Sequence, residues 1–427
     1  MREMKDSGIE WVGKIPAEWE VEKNKRLFFE VNNKCLATDS YTLLSVSEYY
    51  GVAPRTEKIK DGDFETRAES LDGYKICQKN DIVMNIMLAW KRATARTSYN
   101  GIVSPAYCVY RGKDIETRYY HYVFRTEGCA DYFKRHSTGI IDSRLRLYPE
   151  SFFNLNSPVP PIIEQKQIAD FLDNRCSEID AISADIQKEI ETLEQYKRSV
   201  ITEAVTKGLN PDVEMKDSGI EWVGNIPAHW DVQKNKRLFA EVNNKCLATD
   251  NYTLLSVSEY YGVAPRNEKI KDGDFETRAE SLDGYKICRK GDIVMNIMLA
   301  WKKATARTAY DGIVSPAYCV YRGKGIETRY YHYVFRTNGC ADYFRLHSTG
   351  IIDSRLRLYT DAFFNLNSPV PPIDEQKNIA TYLDSKCEEI ESIIAIKKKQ
   401  METLGSYKKS LIYEYVTGKK EVPTYES

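Results

Sequence analysis

The sequence predicts an α+β protein made by tandem duplication, in which a mixed α/β domain followed by a long helix occurs twice. MKDSGIEWVGKIPAEW begins at Met4 and returns as MKDSGIEWVGNIPAHW at Met215. Aligned without gaps, residues 4–162 and 215–373 differ at only 19 of 159 positions. Each copy then continues into roughly 40 residues whose apolar side chains recur at steps of three and four, as on one face of a helix.

The repeat is far longer than the 20–50 residues of solenoids and propellers, so each copy must be a whole domain with its connector. Two similar units usually close about a two-fold axis rather than stack in an open series. We therefore predict pseudo-two-fold symmetry, with the two long helices packed on each other as an antiparallel coiled coil.

The domain boundaries follow from the proline clusters and helix breakers. SPVPPI ends each globular domain, because clustered prolines continue neither a strand nor a helix. The predicted segments are a first globular domain at 1–160, a first long helix at 161–208, a second globular domain at 209–371, a second long helix at 372–418 and a tail at 419–427.

Within the first globular domain, β-branched and aromatic runs bounded by turn residues predict strands at 41–46, 81–84 and 107–110. The aromatic and small apolar spacing of residues 118–135 predicts helical structure, and we expect the tyrosine-rich helix at 118–125 to lie in the core. The long-helix stripe of the first copy is Ile168, Leu172, Ile179, Ile182, Ile186, Ile190, Leu193, Tyr196 and Val200. The second stripe is less regular and is interrupted by Gly405.

Composition excludes several classes of protein. The net charge is −1, which is unlike the basic excess of most DNA-binding proteins, so any DNA contact must use a local basic face or the help of partners. The ten Cys include no C-x-x-C pair and there are five His, a pattern that does not favour a metal site. No long uncharged apolar run occurs, and we expect a cytoplasmic protein with reduced thiols and no membrane contact.

Catalytic motifs are missing from the sequence. It contains no phosphate-binding loop, no dinucleotide fingerprint, no nucleophile elbow and no H-E-x-x-H zinc motif. The string PDVEMK at 211–216 invites a nuclease interpretation, but its carboxylates are too close together and lie in a linker. We predict a non-catalytic chain that carries no metal and no cofactor of its own.

Basic and hydroxyl side chains repeat at matching positions of the two domains and are candidates for contact with DNA. Arginine can fork onto guanine, and lysine or serine can hold phosphate. The candidates of the first copy are Ser45, Ser47, Tyr49, Arg55, Lys58, Lys60, Lys91, Arg92, Arg96, Arg144 and Arg146. Those of the second copy are Ser256, Ser258, Tyr260, Arg266, Lys269, Lys271, Lys302, Lys303, Arg307, Arg355 and Arg357.

The opening DSGIEWVGKIPAEWE, the closing SPVPPIIEQKQIADFLD and the heptad helix after it resemble the specificity subunits of type I restriction–modification enzymes. The second copy repeats these signatures as DSGIEWVGNIPAHWD and SPVPPIDEQKNIATYLD. The resemblance covers essentially the whole chain. It implies that the two globular domains are target recognition domains, each gripping one half of a split site on double-stranded DNA, held apart by the two helices.

The resemblance also implies partner subunits. Two methyltransferase (modification) subunits, which bind S-adenosylmethionine, would dock on residues 164–205 and 375–416. Two ATP-dependent restriction subunits, with ATP and magnesium, would join them. Family members usually carry two dissimilar recognition domains, whereas these are nearly identical, so we predict that both read the same half-sequence and that the site is an interrupted palindrome.

Other functions remain open at the level of sequence. The chain could be a two-lobed coiled-coil scaffold that binds no DNA, or the specificity part of a methylation-only enzyme. It could also be the DNA-reading part of a single-chain enzyme encoded separately. Adjacent genes for an adenine methyltransferase and a translocase would favour the specificity subunit.

Overall fold

The structure is a computed structural model that describes residues 2–36, 41–58, 71–247, 252–266 and 282–423. The chain forms two compact units, one made of Met1–Ile186 with Lys399–Ser427 and the other of Gln187–Lys398. Each unit therefore combines one globular domain with part of each long helix.

In the first unit, short strands pair antiparallel around one four-stranded sheet of order β4–β11–β8–β9. Smaller pairs join β1 to β2, β3 to β12, β5 to β6 and β7 to β10. The strands are β1 (Met4–Asp6), β2 (Lys14–Pro16), β3 (Glu20–Lys23), β4 (Phe28–Glu30), β5 (Leu44–Ser47), β6 (Gly51–Pro54), β7 (Lys75–Cys77), β8 (Ile82–Asn85), β9 (Thr94–Arg96), β10 (Gly101–Val103), β11 (Tyr107–Gly112) and β12 (Asn156–Val159).

The second unit repeats these pairings, with a four-stranded sheet of order β16–β23–β20–β21. Its strands are β13 (Met215–Asp217), β14 (Asn225–Pro227), β15 (Asp231–Lys234), β16 (Phe239–Glu241), β17 (Leu255–Ser258), β18 (Gly262–Pro265), β19 (Lys286–Cys288), β20 (Ile293–Asn296), β21 (Thr305–Arg307), β22 (Gly312–Val314), β23 (Tyr318–Gly323) and β24 (Asn367–Val370).

Helices cover the sheets and then extend from each domain. They are α1 (Asn24–Leu27), α2 (Arg55–Lys58), α3 (Thr117–Phe124), α4 (Glu127–Arg135), α5 (Pro149–Asn154), α6 (Ile162–Lys207), α7 (Asn235–Leu238), α8 (Thr328–Val334), α9 (Asn338–Leu346), α10 (Thr360–Asn365) and α11 (Ile373–Val416). The long helices α6 and α11 contain 46 and 44 residues.

The helical stretch predicted at 118–135 consists of two helices, α3 and α4, with an interruption at Arg125 and Thr126. The Thr126 hydroxyl accepts a hydrogen bond from the backbone N of Cys129 at 3.2 Å and so caps the start of α4. A threonine at this position competes with helix continuation by bonding the free amides of the next turn. The break leaves Arg125 outside both helices.

Two of the three tyrosines of α3 lie in the core, as the sequence predicts, whereas Tyr122 is only partly buried. Tyr119 and Tyr120 are fully buried, and their rings meet edge to face with centroids 5.1 Å apart. Phe28, Phe124 and Phe152 pack around them with centroid separations of 5.3–6.0 Å. Such aromatic clusters bury large apolar areas and hold α3 firmly against the sheet.

The end of each long helix packs against a domain through the same hydrogen bond. In the first unit the Tyr119 hydroxyl donates to the backbone O of Val416 at 2.8 Å. In the second unit the Tyr330 hydroxyl donates to the backbone O of Val205, also at 2.8 Å. The end of α11 therefore docks on the first domain and the end of α6 on the second.

Parts of the two long helices pack on each other inside each unit. In the first unit, Phe171 lies against Tyr415 with ring centroids 4.5 Å apart, and Lys408 pairs with Asp180 at 2.6 Å. In the second unit, ion pairs join Glu189 to Lys397 and Glu391 to Lys197. In both units, residues with higher numbers on α6 contact residues with lower numbers on α11.

One difference between the copies yields a stability prediction. The buried Tyr321 hydroxyl lies 3.2 Å from the Thr360 hydroxyl, whereas Pro149 replaces this threonine in the first copy and the Tyr110 hydroxyl has no hydrogen-bond partner among the described residues. A hydrogen bond contributes about 1 kcal/mol net. We expect Tyr321→Phe to lower the free energy of unfolding by about 1 kcal/mol.

The matched variant Tyr110→Phe should leave that free energy unchanged or raise it slightly, because it removes a buried hydroxyl that has no partner. Urea unfolding of the full chain measures both variants against the parent protein. Equal losses of stability in the two variants would contradict the proposed role of Thr360.

Candidate nucleic-acid interface

The first group of candidate side chains lies on the tyrosine hairpin, which we define as β5, β6 and the connecting residues 48–50. The Ser45 and Tyr50 hydroxyls are 3.0 Å apart, and the Ser47 hydroxyl accepts from the backbone N of Tyr49 at 3.1 Å. Tyr49 at the tip is 84% exposed. The hairpin thus presents an aromatic face and hydroxyls to solvent from a turn that is held by its own side chains.

The second copy forms the same hairpin from β17, β18 and residues 259–261. The Ser256 and Tyr261 hydroxyls are 2.9 Å apart, the Ser258 hydroxyl accepts from the backbone N of Tyr260 at 3.1 Å, and Tyr260 is 85% exposed.

The second group lies on the tryptophan turn, which we define as the 3₁₀ helix Ala89–Lys91 and the following Arg92. The Trp90 indole N–H donates to the backbone O of Met87 at 3.0 Å. The Lys91 ammonium lies over the Trp90 ring, 5.1 Å from its centroid, and the Lys134 ammonium lies 4.8 Å from the same centroid. Cations are attracted to an indole face, so the turn gathers positive charge.

Arg92 adopts the left-handed conformation with φ 64°, as does its counterpart Lys303 with φ 65°. That conformation is uncommon for residues with long side chains. In the second copy Lys302 lies over Trp301, 5.0 Å from the ring centroid, and the Lys303 ammonium donates to Asn338. Burial lowers the pKa of Lys303, and the nearby Arg198 and Arg336 add to this effect.

Arg125, which no sequence pattern marked as a candidate, forms hydrogen bonds to both the hairpin and the turn. Its guanidinium donates to the backbone O of Ser47 at 3.2 Å, Glu48 at 2.8 Å, Tyr49 at 3.3 Å and Arg92 at 2.9 Å. Burial lowers the pKa of Arg125 to about 10, with a smaller contribution from the positive charge of Arg92. The side chain therefore stays charged at neutral pH and makes charge-assisted hydrogen bonds to four carbonyls.

Arg336 does the same in the second copy. It donates to the backbone O of Ser258 at 3.3 Å, Glu259 at 2.7 Å and Lys303 at 2.9 Å. The available sequence signal was an arginine directly after the buried helix motif RYYHYVF in both copies. The sequence did not indicate the direction of this side chain. It follows from the end of the helix before the arginine, which only the structure shows.

Arg96 lies apart from Lys91, although the sequence grouped them. Its guanidinium donates to the Asn80 side chain and, at 3.5 Å, to the Ser98 hydroxyl. It lines a 220 Å³ depression with Tyr50 and Arg118. The counterpart Arg307 donates to the Thr328 hydroxyl at 3.2 Å, because Gly291 replaces Asn80 in the second copy.

The partly buried imidazole of His121 lines the same depression. Its Nδ1 accepts a hydrogen bond from the backbone N of Arg96 at 3.3 Å. Burial, together with smaller contributions from the positive charges of Arg125 and Arg96, lowers the pKa of His121 to about 3. The ring is therefore neutral at physiological pH and serves as a hydrogen-bond acceptor for strand β9.

The third group lies on the isoleucine loop, which we define as residues 137–146 and, in the second copy, 348–357. Arg144 is exposed, and its side chain makes no hydrogen bond or ion pair with the described part of the chain. The Arg146 guanidinium donates to the backbone O of Ser143 at 3.3 Å and Leu145 at 2.8 Å. Arg355 and Arg357 occupy the same environments.

The remaining candidates are only partly described. The backbone N of Arg55 at the start of α2 donates to the O of Leu43 at 2.9 Å, and Arg266 makes the equivalent bond to Leu254 at 3.0 Å. The side chain of Lys58 and the whole of Lys60, Lys269 and Lys271 lie outside the described residues.

The interface adjoins the long helices in each unit. The tip of the tyrosine hairpin, Arg125 and the two helices enclose a cleft of about 690 Å³ in the first unit, and the equivalent cleft of the second unit is about 920 Å³. Lys408 and Lys409 line the first cleft. The Lys408 ammonium is paired with the Asp180 carboxylate and the Lys409 ammonium with the Glu127 carboxylate.

All ten cysteines are buried, and none of them forms a disulfide.

The described part of the chain contains no group of three or more His, Cys, Asp or Glu side chains placed to hold a metal ion. Among the described residues, no helix is long and apolar enough to cross a membrane.

Known proteins resemble the chain along nearly its whole length. It is 25% identical over 440 residues to the type I restriction enzyme MjaVIII specificity subunit of Methanocaldococcus jannaschii, covering 95% of this chain and 94% of the relative. The chain is similar to type I specificity subunits over nearly its whole length. The putative MjaX specificity subunit of the same organism is 23% identical over 455 residues, covering 97% and 96%. No protein-family model matches the chain.

Solved structures of type I systems share the fold of this chain. A chain from a structure that concerns complex assembly and conformational transition of a type I R-M system superposes with a TM-score of 0.68 at 12% identity, covering 95% of this chain and 99% of that one. The HsdS subunit from Thermoanaerobacter tengcongensis gives a TM-score of 0.54 at 12% identity, covering 95% and 98%. The resemblance and the mixed fold, with two sheet-containing domains and long helices, are thereby confirmed.

Proposed function

We propose that the chain is the non-catalytic DNA sequence-recognition subunit of a type I restriction–modification complex. The observation that carries this proposal is its likeness to curated specificity subunits over more than nine-tenths of both chains. In this role it binds a bipartite site on double-stranded DNA and positions methyltransferase and restriction subunits. The relatives do not support the alternatives of a scaffold without DNA binding or a methylation-only enzyme.

Each of the three surface groups makes a different kind of contact with DNA. The exposed Tyr49 and the Ser45 and Ser47 hydroxyls of the tyrosine hairpin are suited to base edges and sugars. The ammonium of Lys91 and the guanidinium of Arg92 are suited to phosphate. Arg144 has an unpaired guanidinium that can fork onto guanine or lie along the backbone. The equivalent side chains of the second copy act in the same way on the other half-site.

The near-identity of the two copies supports an interrupted palindrome as the site. The serine–tyrosine hydrogen bond of the hairpin and the arginine hydrogen bond to the turn recur in both copies. Arg92 is exchanged for Lys303, and a contact that either side chain can make is one to phosphate rather than a bidentate one to a base. Arg135 pairs with Glu10, while its counterpart Leu346 is 72% exposed, so neither is required for reading a shared half-site.

The long helices provide the docking surface for partners. Antiparallel packing along their whole length is supported by the opposed run of contacts inside each unit. Half-exposed apolar side chains such as Ile182, Tyr196 and Tyr407 remain available on the helices. Two modification subunits with S-adenosylmethionine would bind here, and two restriction subunits would bring ATP and magnesium. The complex would work in the cytoplasm.

We propose the same segment boundaries as the sequence predicts. They are 1–160 and 209–371 for the globular domains, 161–208 and 372–418 for the long helices, and 419–427 for the tail.

The test is methylation mapping at single-base resolution, on DNA from cells that co-express this chain with the methyltransferase encoded beside it. We expect methyl-adenine on both strands of an interrupted palindrome, with half-sites about one helical turn apart. Cells that express the methyltransferase alone are the control. An asymmetric split site would preserve recognition but contradict the symmetry, and no sequence-dependent methylation would contradict the proposed function.

A further inference from the structure

Two isoleucines at the tip of the isoleucine loop face solvent completely. Ile140 is 100% exposed, and its counterpart Ile351 is 99% exposed. The following Ile141 and Ile352 are each 53% exposed. Single exposed apolar side chains are common on protein surfaces, but here two adjacent ones recur at the same place in both copies.

The loop that presents them is held firmly to the domain. Thr138 and Arg146 exchange two backbone hydrogen bonds, of 2.8 and 2.9 Å. Gly139 has φ +148°, and a Cβ there would lie 2.6 Å from the backbone O of Arg144, so no other residue fits. The buried Leu145 and Leu147 anchor the end of the loop. The exposure of Ile140 therefore reflects a built turn rather than a loose one.

The surroundings of the tip are positive. The exposed Arg144 ends the 3₁₀ turn Asp142–Arg144 that follows the isoleucines, and Arg146 lies two residues further along the loop. The one acidic side chain of the turn, Asp142, is paired with Lys134 at 2.9 Å, and Lys134 lies over Trp90 of the tryptophan turn. In the second copy Arg345 pairs with Asp353 and lies over Trp301. An apolar tip with a positive rim fits duplex DNA, whose phosphates flank a stack of apolar base faces.

We propose that Ile140 and Ile351 are wedges that enter the base stack at each half-site, while Arg144 and Arg355 bind the flanking phosphates. Apolar side chains inserted between base steps partly unstack them and bend the duplex, which makes the sequence at that step part of what is read. This inference rests on the proposed function and adds a mode of recognition to it. It predicts specificity at a step that no hydrogen bond reads.

The test uses the full chain in complex with its methyltransferase, on duplexes that carry the mapped site. 2-Aminopurine, which fluoresces when it is unstacked, replaces in turn each purine of a half-site except the methylated adenine. The parent complex should raise its fluorescence at one base step per half-site. The double variant Ile140→Ser/Ile351→Ser should abolish this rise and bind the site roughly tenfold more weakly.

The chain offers a matched control in Phe29, which is 42% exposed on β4 and corresponds to Ala240 in the second copy. Phe29→Ala removes an exposed apolar side chain away from the loop and from the long helices, and should change neither fluorescence nor binding. Unaltered thermal unfolding of the double variant would establish that the loop has not been disrupted.

The outcomes separate the wedge from the proposed function. If the parent complex shows no site-specific binding, the proposed function fails and the wedge with it. If the parent binds but no position brightens, or the double variant binds and brightens as the parent does, the wedge is overturned and the function stands. Loss of methyltransferase capture by the double variant, with unchanged fluorescence on DNA, would assign the tip to a protein interface and also overturn the wedge.

Discussion

Replacing Arg125 by alanine should weaken site-specific DNA binding roughly 100-fold, or about 2.7 kcal/mol, and Arg336→Ala should have the same effect through the other half-site. Neither side chain needs to touch DNA for this result. Arg125 holds the backbone of the tyrosine hairpin tip and of the tryptophan turn in one arrangement, through four carbonyl acceptors. Without it, two groups of candidate contacts lose their relative positions.

The variant also has a cost in stability, which must be separated from the loss of binding. Removing a buried donor leaves backbone carbonyls without partners, which costs about 1–3 kcal/mol. Arg125→Lys keeps the charge, but a single ammonium cannot span carbonyls on both segments as the planar guanidinium does. We therefore expect Arg125→Lys to fold more stably than Arg125→Ala and still to lose most of the binding.

Methylation mapping and binding assays with the co-expressed methyltransferase measure this effect. Arg118→Ala is the control, because Arg118 lies on α3, the helix that ends directly before Arg125, but pairs with Glu116, Asp170 and Asp173. We expect relaxed sequence preference at one half-site for Arg125→Ala and Arg336→Ala, and a parental pattern for Arg118→Ala. Full retention of half-site specificity by Arg125→Ala would contradict the positioning role.

The largest change in stability is expected at Gly418, where the end of the second long helix meets the first domain. Gly418 has φ +67°, and a Cβ there would lie 2.4 Å from Pro16 Cδ and 3.0 Å from the Trp19 ring. Alanine is strained in the left-handed region by about 1–2 kcal/mol, and overpacking adds about 1–3 kcal/mol. Gly418→Ala should therefore lower the free energy of unfolding of the first unit by roughly 2–5 kcal/mol.

Gly219 is the matched control, because it has the same φ of +67° but nothing within 4 Å of its would-be Cβ. Gly219→Ala should cost only the backbone strain of about 1–2 kcal/mol. Hydrogen exchange measured by mass spectrometry on the full chain assigns each loss to its unit. If the two variants lose equal stability, the close packing of Gly418 on Pro16 and Trp19 would be irrelevant to the first unit.

The candidate interface was only partly readable from the sequence. Its hydroxyl and basic side chains were recognised because they recur at fixed positions in both copies. Arg125 was missed because the sequence pattern predicts that the helix continues through residue 125. In the structure Thr126 caps the start of the next helix, so Arg125 lies outside both helices. Arg96 was grouped with Lys91 by proximity along the chain, but it lies on β9 and bonds to Asn80 instead. The exposure of Ile140 could not be predicted, since apolar residues usually predict burial.

The sequence by itself determined the duplication, the long helices and the likeness to specificity subunits, because repeats, apolar periodicity and short motifs are local features of the chain. Only the tertiary structure decided which helix end meets which domain. Tyr119 bonds to Val416, which lies 297 residues away, and Tyr330 bonds to Val205 in the same way. An apolar stripe predicts that one face of a helix is buried. Which part of the protein covers that face depends on long-range packing, which no local pattern encodes.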